Sequence, residues 1–141
     1  MEQSTTIDIA APAERVWEVL SDVEYWSEWT PTVTSVRLLD DGPLRQGSRA
    51  KIRQPRIPET EYVVTELEPD RSFTWVATGP GTLTTARHDA QPLPGGGTRV
   101  RLSVTQSGCL GSVMGRFYRG LTDRYLANEA DGLKARCEQQ R

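Results

Sequence analysis

The sequence is poor in the residues that build metal sites and cross-linked frameworks. It has two cysteines, Cys109 and Cys137, and one histidine, His88, in 141 residues. With one histidine and two distant cysteines no metal cluster is expected, and no cofactor is implied. The cysteines lie 28 positions apart in a stretch that reads as helix. At ~1.5 Å per residue a continuous helix separates them by about 40 Å, against the roughly 7 Å a disulfide tolerates. Two free thiols fit a reducing compartment. No apolar run approaches the roughly 18 residues of a membrane span, so integral membrane association is not expected. Charge of one sign is also missing. The 17 basic and 19 acidic residues leave a net charge of −2, with no overall footprint for nucleic acid or an anionic membrane. The opening Met1-Glu2-Gln3-Ser4-Thr5-Thr6 lacks a basic region followed by an apolar one, and is read as the start of a cytoplasmic protein.

What is present is a balanced globular composition, 36% hydrophobic and 26% charged, at a length that suits one domain over residues 1–141. Thr5 to Ile9 alternates as a first strand. Pro12 suits the start of a helix carrying Val16, Val19 and Leu20 on one face, with Trp17 beside them. Ser21-Asp22-Val23-Glu24 has the spacing of a capping box, predicting a second short helix through Tyr25, Trp26 and Trp29 that ends before Pro31. Six further strands fit Val33–Leu39, Ser48–Gln54, Thr60–Glu68, Ser72–Thr78, Thr82–Ala90 and Thr98–Gln106. The Pro55-Arg56-Ile57-Pro58 segment interrupts them. Its two prolines restrict it without making it a lid. The Gly95-Gly96-Gly97 run joins two strands and is not followed by a helix, so it is neither a P-loop nor a dinucleotide fingerprint.

From Leu110 to about Cys137 there is no proline, and Leu110, Met114, Phe117, Leu121 and Tyr125 recur as one helical stripe with Tyr118 at its edge. Strands followed by one long amphipathic helix predict an antiparallel sheet curled around that helix. One helix does not fill such a sheet, so a cavity is expected.

This order of elements resembles the START-like, helix-grip superfamily, also called SRPBCC or polyketide cyclase/dehydrase. The likeness is carried by Ile7-Asp8-Ile9-Ala10-Ala11-Pro12-Ala13-Glu14-Arg15-Val16-Trp17 and by Asp22-Val23-Glu24-Tyr25-Trp26-Ser27-Glu28-Trp29. It continues through Thr65-Glu66-Leu67-Glu68-Pro69-Asp70-Arg71 and Gly97-Thr98-Arg99-Val100-Arg101-Leu102. The resemblance implies an α+β helix-grip fold: a seven-stranded curved antiparallel sheet around a long C-terminal helix, with two short helices between strands 1 and 2. It also implies a hydrophobic cavity. It does not carry a particular function, because members bind lipids and hormones or cyclise polyketides.

His88 is the one histidine and the candidate acid–base residue; its strand places it with Thr82, Thr84 and Ala86, the face taken as inward. Tyr62 and Trp75 should face inward with Val64 and Phe73 as an aromatic wall or as plain core. Ile52, Tyr62, Trp75, Met114 and Phe117 are the expected apolar ligand contacts, with His88 and Tyr118 as polar ones. Trp17, Trp26 and Trp29 read as structural bulk plugging the sheet. Arg49, Lys51, Arg53, Arg99 and Arg101 form a basic stripe on the outer face, and Glu66 has no visible partner. Three functions are compatible: binding of a hydrophobic or aromatic small molecule such as a lipid or polyketide; a cyclase or aromatase using His88; and an interaction module with a filled core.

Overall fold

The period-two pattern becomes one antiparallel sheet. The computed structural model describes residues 2–139; Met1, Gln140 and Arg141 lie outside it. The elements run β1 (Glu2–Ile9), α1 (Ala13–Ser21), a 3₁₀ helix (Val23–Glu28), β2 (Ser35–Leu38), β3 (Arg49–Gln54), β4 (Ile57–Glu68), β5 (Ser72–Gly79), β6 (Thr82–Pro92), β7 (Thr98–Ser107), α2 (Gly111–Phe117) and α3 (Arg119–Glu138). The seven strands lie in the order β1-β7-β6-β5-β4-β3-β2. This is the α+β helix-grip arrangement, with two short helices between β1 and β2 and the long C-terminal helix packed on the sheet. One face of each strand is buried: Ile52 on β3, Val64 on β4, Phe73 and Trp75 on β5, Ala86 and His88 on β6, Val100 and Leu102 on β7.

Both sheet edges are covered by side chains. Along β1, Lys134 donates to the Asp8 carbonyl at 3.0 Å, and the Ala10 N–H just beyond the strand donates to Glu138 at 2.7 Å. Gln3 reaches the Arg119 carbonyl and Asp123. At the other edge the Leu38 N–H donates to Glu24 at 3.0 Å.

Four expectations change. The Ser21–Glu24 capping box does not form. Ser21 ends α1 and donates to the Trp17 carbonyl at 2.7 Å, Glu24 is taken by β2, and the second helix is a 3₁₀ turn with Trp29 just past its end. The Pro55–Pro58 segment is a tight β3–β4 hairpin rather than a break. Gln54 pairs Ile57, and Arg56 takes the left-handed conformation at φ 67°. The β3–β4 register shifts beside Pro58, at a bulge, where a residue without an N–H is tolerated. Four of the five residues of the basic outer stripe are paired: Arg49 with Asp40, Arg53 with Glu59, Arg99 with Asp8 and Arg101 with Glu2. Exposed pairs of this kind add little stability.

The fourth change is the largest. The C-terminal stretch is two helices meeting at Tyr118, and the stripe expected to face the sheet splits. Leu110, Met114 and Phe117 are exposed. The cause is Gly111 and Gly115. A Cβ on Gly111 would sit 3.6 Å from Gln106 and Thr82 backbone atoms, and one on Gly115 would sit 3.3 Å from the Gln106 side chain. The small residues bring α2 close to the sheet, which turns the large ones outward. In α3 the buried row is Leu126, Ala130, Leu133 and Cys137.

Candidate functional site

Between α3 and the concave face of the sheet lies a cavity of about 100 Å³. Its closed end is aromatic. Trp26 and Trp75 stand 5.4 Å apart between ring centroids, and Tyr62 lies 5.2 Å from Trp75. The Trp26 N–H is spent on the Leu20 carbonyl at 3.0 Å, so this residue offers the cavity only its apolar faces. The other end is lined by half-buried side chains: Gln54 and Ile57 of the β3–β4 hairpin, Gln106 of β7, and Thr122 and Tyr125 of α3. There the Tyr125 hydroxyl donates to the Pro55 carbonyl and ties the hairpin to the helix.

His88 sits deep in this wall, 5% exposed. It is directly opposite Phe73 across β5–β6, stacks on that ring at 4.2 Å, and places Nδ1 3.3 Å from the Phe73 carbonyl. A carbonyl only accepts, so Nδ1 carries the proton and Nε2 is left as an acceptor. Burial lowers the imidazole pKa to about 4, only partly opposed by that hydrogen bond. At neutral pH His88 is therefore an uncharged, weakly basic ring that offers a hydrogen-bond acceptor and has no proton to spare as an acid.

The second polar group is Glu129 of α3. Thr32 donates to its Oε1 at 3.2 Å, and Thr32 is itself 2.9 Å from the Thr30 hydroxyl. Both threonines are fully buried. Burial pushes the Glu129 pKa up to about 7, against the lowering effect of the Thr32 bond. Burial, with the charge of Glu129 adding to it, raises the Tyr62 phenol to about 12 and keeps it protonated. The cavity thus holds an acceptor at His88, a donor at Tyr62 and a carboxyl near half-protonation at neutral pH.

Of the residues singled out from sequence, Ile52, Tyr62, Trp75 and His88 line this cavity together; Met114, Phe117 and Tyr118 do not. Trp26 was read as a structural plug and is also a wall. Glu129 was missed. Its signal is its position in α3, three residues after Leu126 and four before Leu133, inside the buried row. Reading the helix in one phase from Leu110 hid it. A second recess, about 110 Å³ under α1, is bordered by Arg15, Glu18, Asp22 and Arg136, and there Arg15 pairs with Glu18. Among the described residues no group of histidine, cysteine and carboxylate side chains could hold a metal.

A sheet gripping a helix over an aromatic cavity is the geometry against which known proteins can be compared. A family profile described as polyketide cyclase / dehydrase and lipid transport matches residues 2–138. The chain belongs to that family. Solved structures share the fold across the whole polyketide cyclase/dehydrase domain. The Zhui aromatase/cyclase from Streptomyces sp. R1128 is 19% identical, with 98% of this chain and 93% of that one covered at a TM-score of 0.78. A hypothetical protein from Helicobacter pylori is 16% identical, with 98% and 88% covered at 0.84. A START superfamily protein from Mycobacterium smegmatis is 19% identical, with 98% and 97% covered at 0.73. At these identities the likeness is one of fold. No curated protein matches the chain.

Proposed function

We propose that this family member binds a small hydrophobic or aromatic molecule in the cavity between sheet and α3, as a cytoplasmic carrier or receptor. The observation that carries this reading is the combination of an aromatic floor, Trp26, Trp75 and Tyr62, with one perturbed carboxyl, Glu129. Planar apolar surface is recognised by the rings, and one hydroxyl or amine on the ligand by Glu129. Size limits the ligand. An apolar cavity of about 150 Å³ admits benzene, so about 100 Å³ limits the enclosed part of a ligand to no more than a single small ring. A lipid or polyketide chain requires the mouth at Tyr125 and Pro55 to open. Native mass spectra of the purified protein, followed by denaturing extraction, test the reading. A co-purified apolar molecule of defined mass supports it. A protein that stays empty when offered single-ring phenols and fatty acids refutes it.

The presence of His88 and Glu129 in one cavity favours a second reading, a cyclase or aromatase. Ring closure of a poly-ketone needs a group that takes the proton from the carbon between carbonyls as the new carbon–carbon bond forms. The attacked carbonyl oxygen takes that proton back and becomes a hydroxyl; loss of a second proton from the same carbon to the base, with protonation of the hydroxyl by an acid, then expels water. Neutral His88 offers the first role a weak base, its pKa lowered to about 4, and protonated Glu129 suits the second. Cyclisation of a synthetic poly-ketone that survives both His88→Ala and Glu129→Gln would sink this reading.

A further inference from the structure

Helix α2 presents to solvent the face that a helix normally buries. Leu110, Val113, Met114 and Phe117 recur at the spacing of one helical stripe, and all are exposed, Phe117 to 81%. The face against the sheet is glycine. An exposed stripe of large apolar residues marks a place where something else binds.

The charges around it say what. Arg116 within α2, Arg119 at the start of α3 and Arg124 in its second turn are exposed. Among the described residues none of the three has a carboxylate within ion-pair distance. This differs from the outer sheet face, where Arg49, Arg99 and Arg101 are paired. The one acidic residue from Gly108 to Tyr125 is Asp123, which already accepts a hydrogen bond from Gln3 at 2.7 Å. The near-zero balance of the whole chain conceals this local excess of positive charge.

We propose that α2 and its corner with α3 dock the protein on an anionic membrane surface. Leu110, Val113, Met114 and Phe117 enter the boundary between headgroups and acyl chains, while Arg116, Arg119 and Arg124 meet lipid phosphates. A second copy of this chain fits poorly. A two-fold contact through α2 sets the same three arginines against each other with only Asp123 to balance them. A lipid surface supplies the negative charge and the apolar depth together. The position adds a use. Gly111 and Gly115 pack on and beside Gln106, and Gln106, Thr122 and Tyr125 line the mouth of the cavity. A protein seated on α2 has that mouth next to the bilayer. This last step rests on the proposed binding of a hydrophobic ligand; the docking does not.

The test is co-sedimentation of the full chain with vesicles of phosphatidylcholine alone and of phosphatidylcholine mixed with phosphatidylglycerol. Binding is expected only to the mixed vesicles, and it weakens as salt is raised. Val113→Ser with Phe117→Ser lowers it at least about tenfold. Each of Arg116→Gln, Arg119→Gln and Arg124→Gln lowers it about fivefold. All are surface positions, and unchanged thermal melting of each variant shows that the fold is retained. Equal affinity for both vesicles, or indifference to these substitutions, overturns the proposal. So does a dimer that the same substitutions dissociate, or retention on an acidic protein partner without retention on lipid. Native mass spectra taken without vesicles report the cavity separately. An empty cavity with intact vesicle binding sinks the ligand reading alone.

Discussion

Gly132 of α3 faces the backbone carbonyl of Trp29 so closely that a Cβ at that position would lie 1.9 Å from the oxygen. The helix meets the segment after the 3₁₀ turn there, with Gly132 against the Trp29 carbonyl and the edge of its ring. Helix propensity by itself makes Gly132→Ala stabilising by about 1 kcal/mol. The clash acts in the opposite direction and is the larger effect, because the obstacle is main chain. Urea unfolding should show a net loss of about 2 kcal/mol or more. A stabilised variant would mean that α3 and Trp29 are not in this contact.

The Tyr125 hydroxyl and the Pro55 carbonyl hold the mouth. Tyr125→Phe removes one hydrogen bond while keeping the ring, and should lower global stability by only about 1 kcal/mol. Its effect should concentrate in the hairpin. Amide hydrogen exchange around Arg56 and Ile57 accelerates severalfold while exchange in β6 and β7 is unchanged. Uniform acceleration throughout the sheet would show that the bond supports the whole fold rather than the mouth.

His88 and Glu129 respond to pH in opposite directions. Folding holds His88 neutral, with a pKa lowered to about 4 from 6.5, so its contribution is lost as pH falls through that interval. Folding holds Glu129 protonated, with a pKa raised to about 7 from 4.5, so its contribution is lost as pH rises through that one. Across the overlap the two effects largely cancel in the parent. Comparing Glu129→Gln with the parent isolates the carboxyl. Their stability difference should move by about 3 kcal/mol in favour of the variant between roughly pH 4.5 and pH 8. A difference that does not change with pH would show that the Glu129 carboxyl behaves as if in water.

The two thiols should separate cleanly. Cys109 is exposed, whereas Cys137 is buried in the last turns of α3, where burial raises its pKa to about 11. A disulfide reagent at neutral pH should modify one thiol quickly and the second only on unfolding. Two equally fast thiols would mean that the end of α3 is frayed in the native state.

The sheet was legible because alternation, turn residues and strand length agreed. All seven strands lie where the alternating runs predicted, with ends moved by a few residues. What misled was phase. From Leu110 the apolar spacing reads as one helix, but nothing in the spacing tells which face meets the sheet. The choice is made by Gly111 and Gly115, whose missing side chains carry no hydrophobic signal. Fixing the wrong face put Met114 and Phe117 inside and overlooked Glu129. The capping-box spacing at Ser21 failed for a related reason: Glu24 has a better use across space, on the β2 edge, than in its own turn. Ile52, Tyr62, Trp75 and His88 share the cavity wall because strand alternation leaves two faces to choose from: the apolar, aromatic face on β3–β5 and the smaller, less charged face on β6.

The side chains of Lys134, Glu138 and Glu24 occupy hydrogen-bonding positions along the two rims of the sheet. A rim left open is a template on which another chain can add a strand, and such addition is the usual first step toward fibrils. Here those positions are taken by three flexible polar residues and by the helix that carries two of them. Loss of the last turn of α3 would therefore do more than expose core. It would free the Ala10 N–H at the end of β1 and open that end of the rim to strand addition.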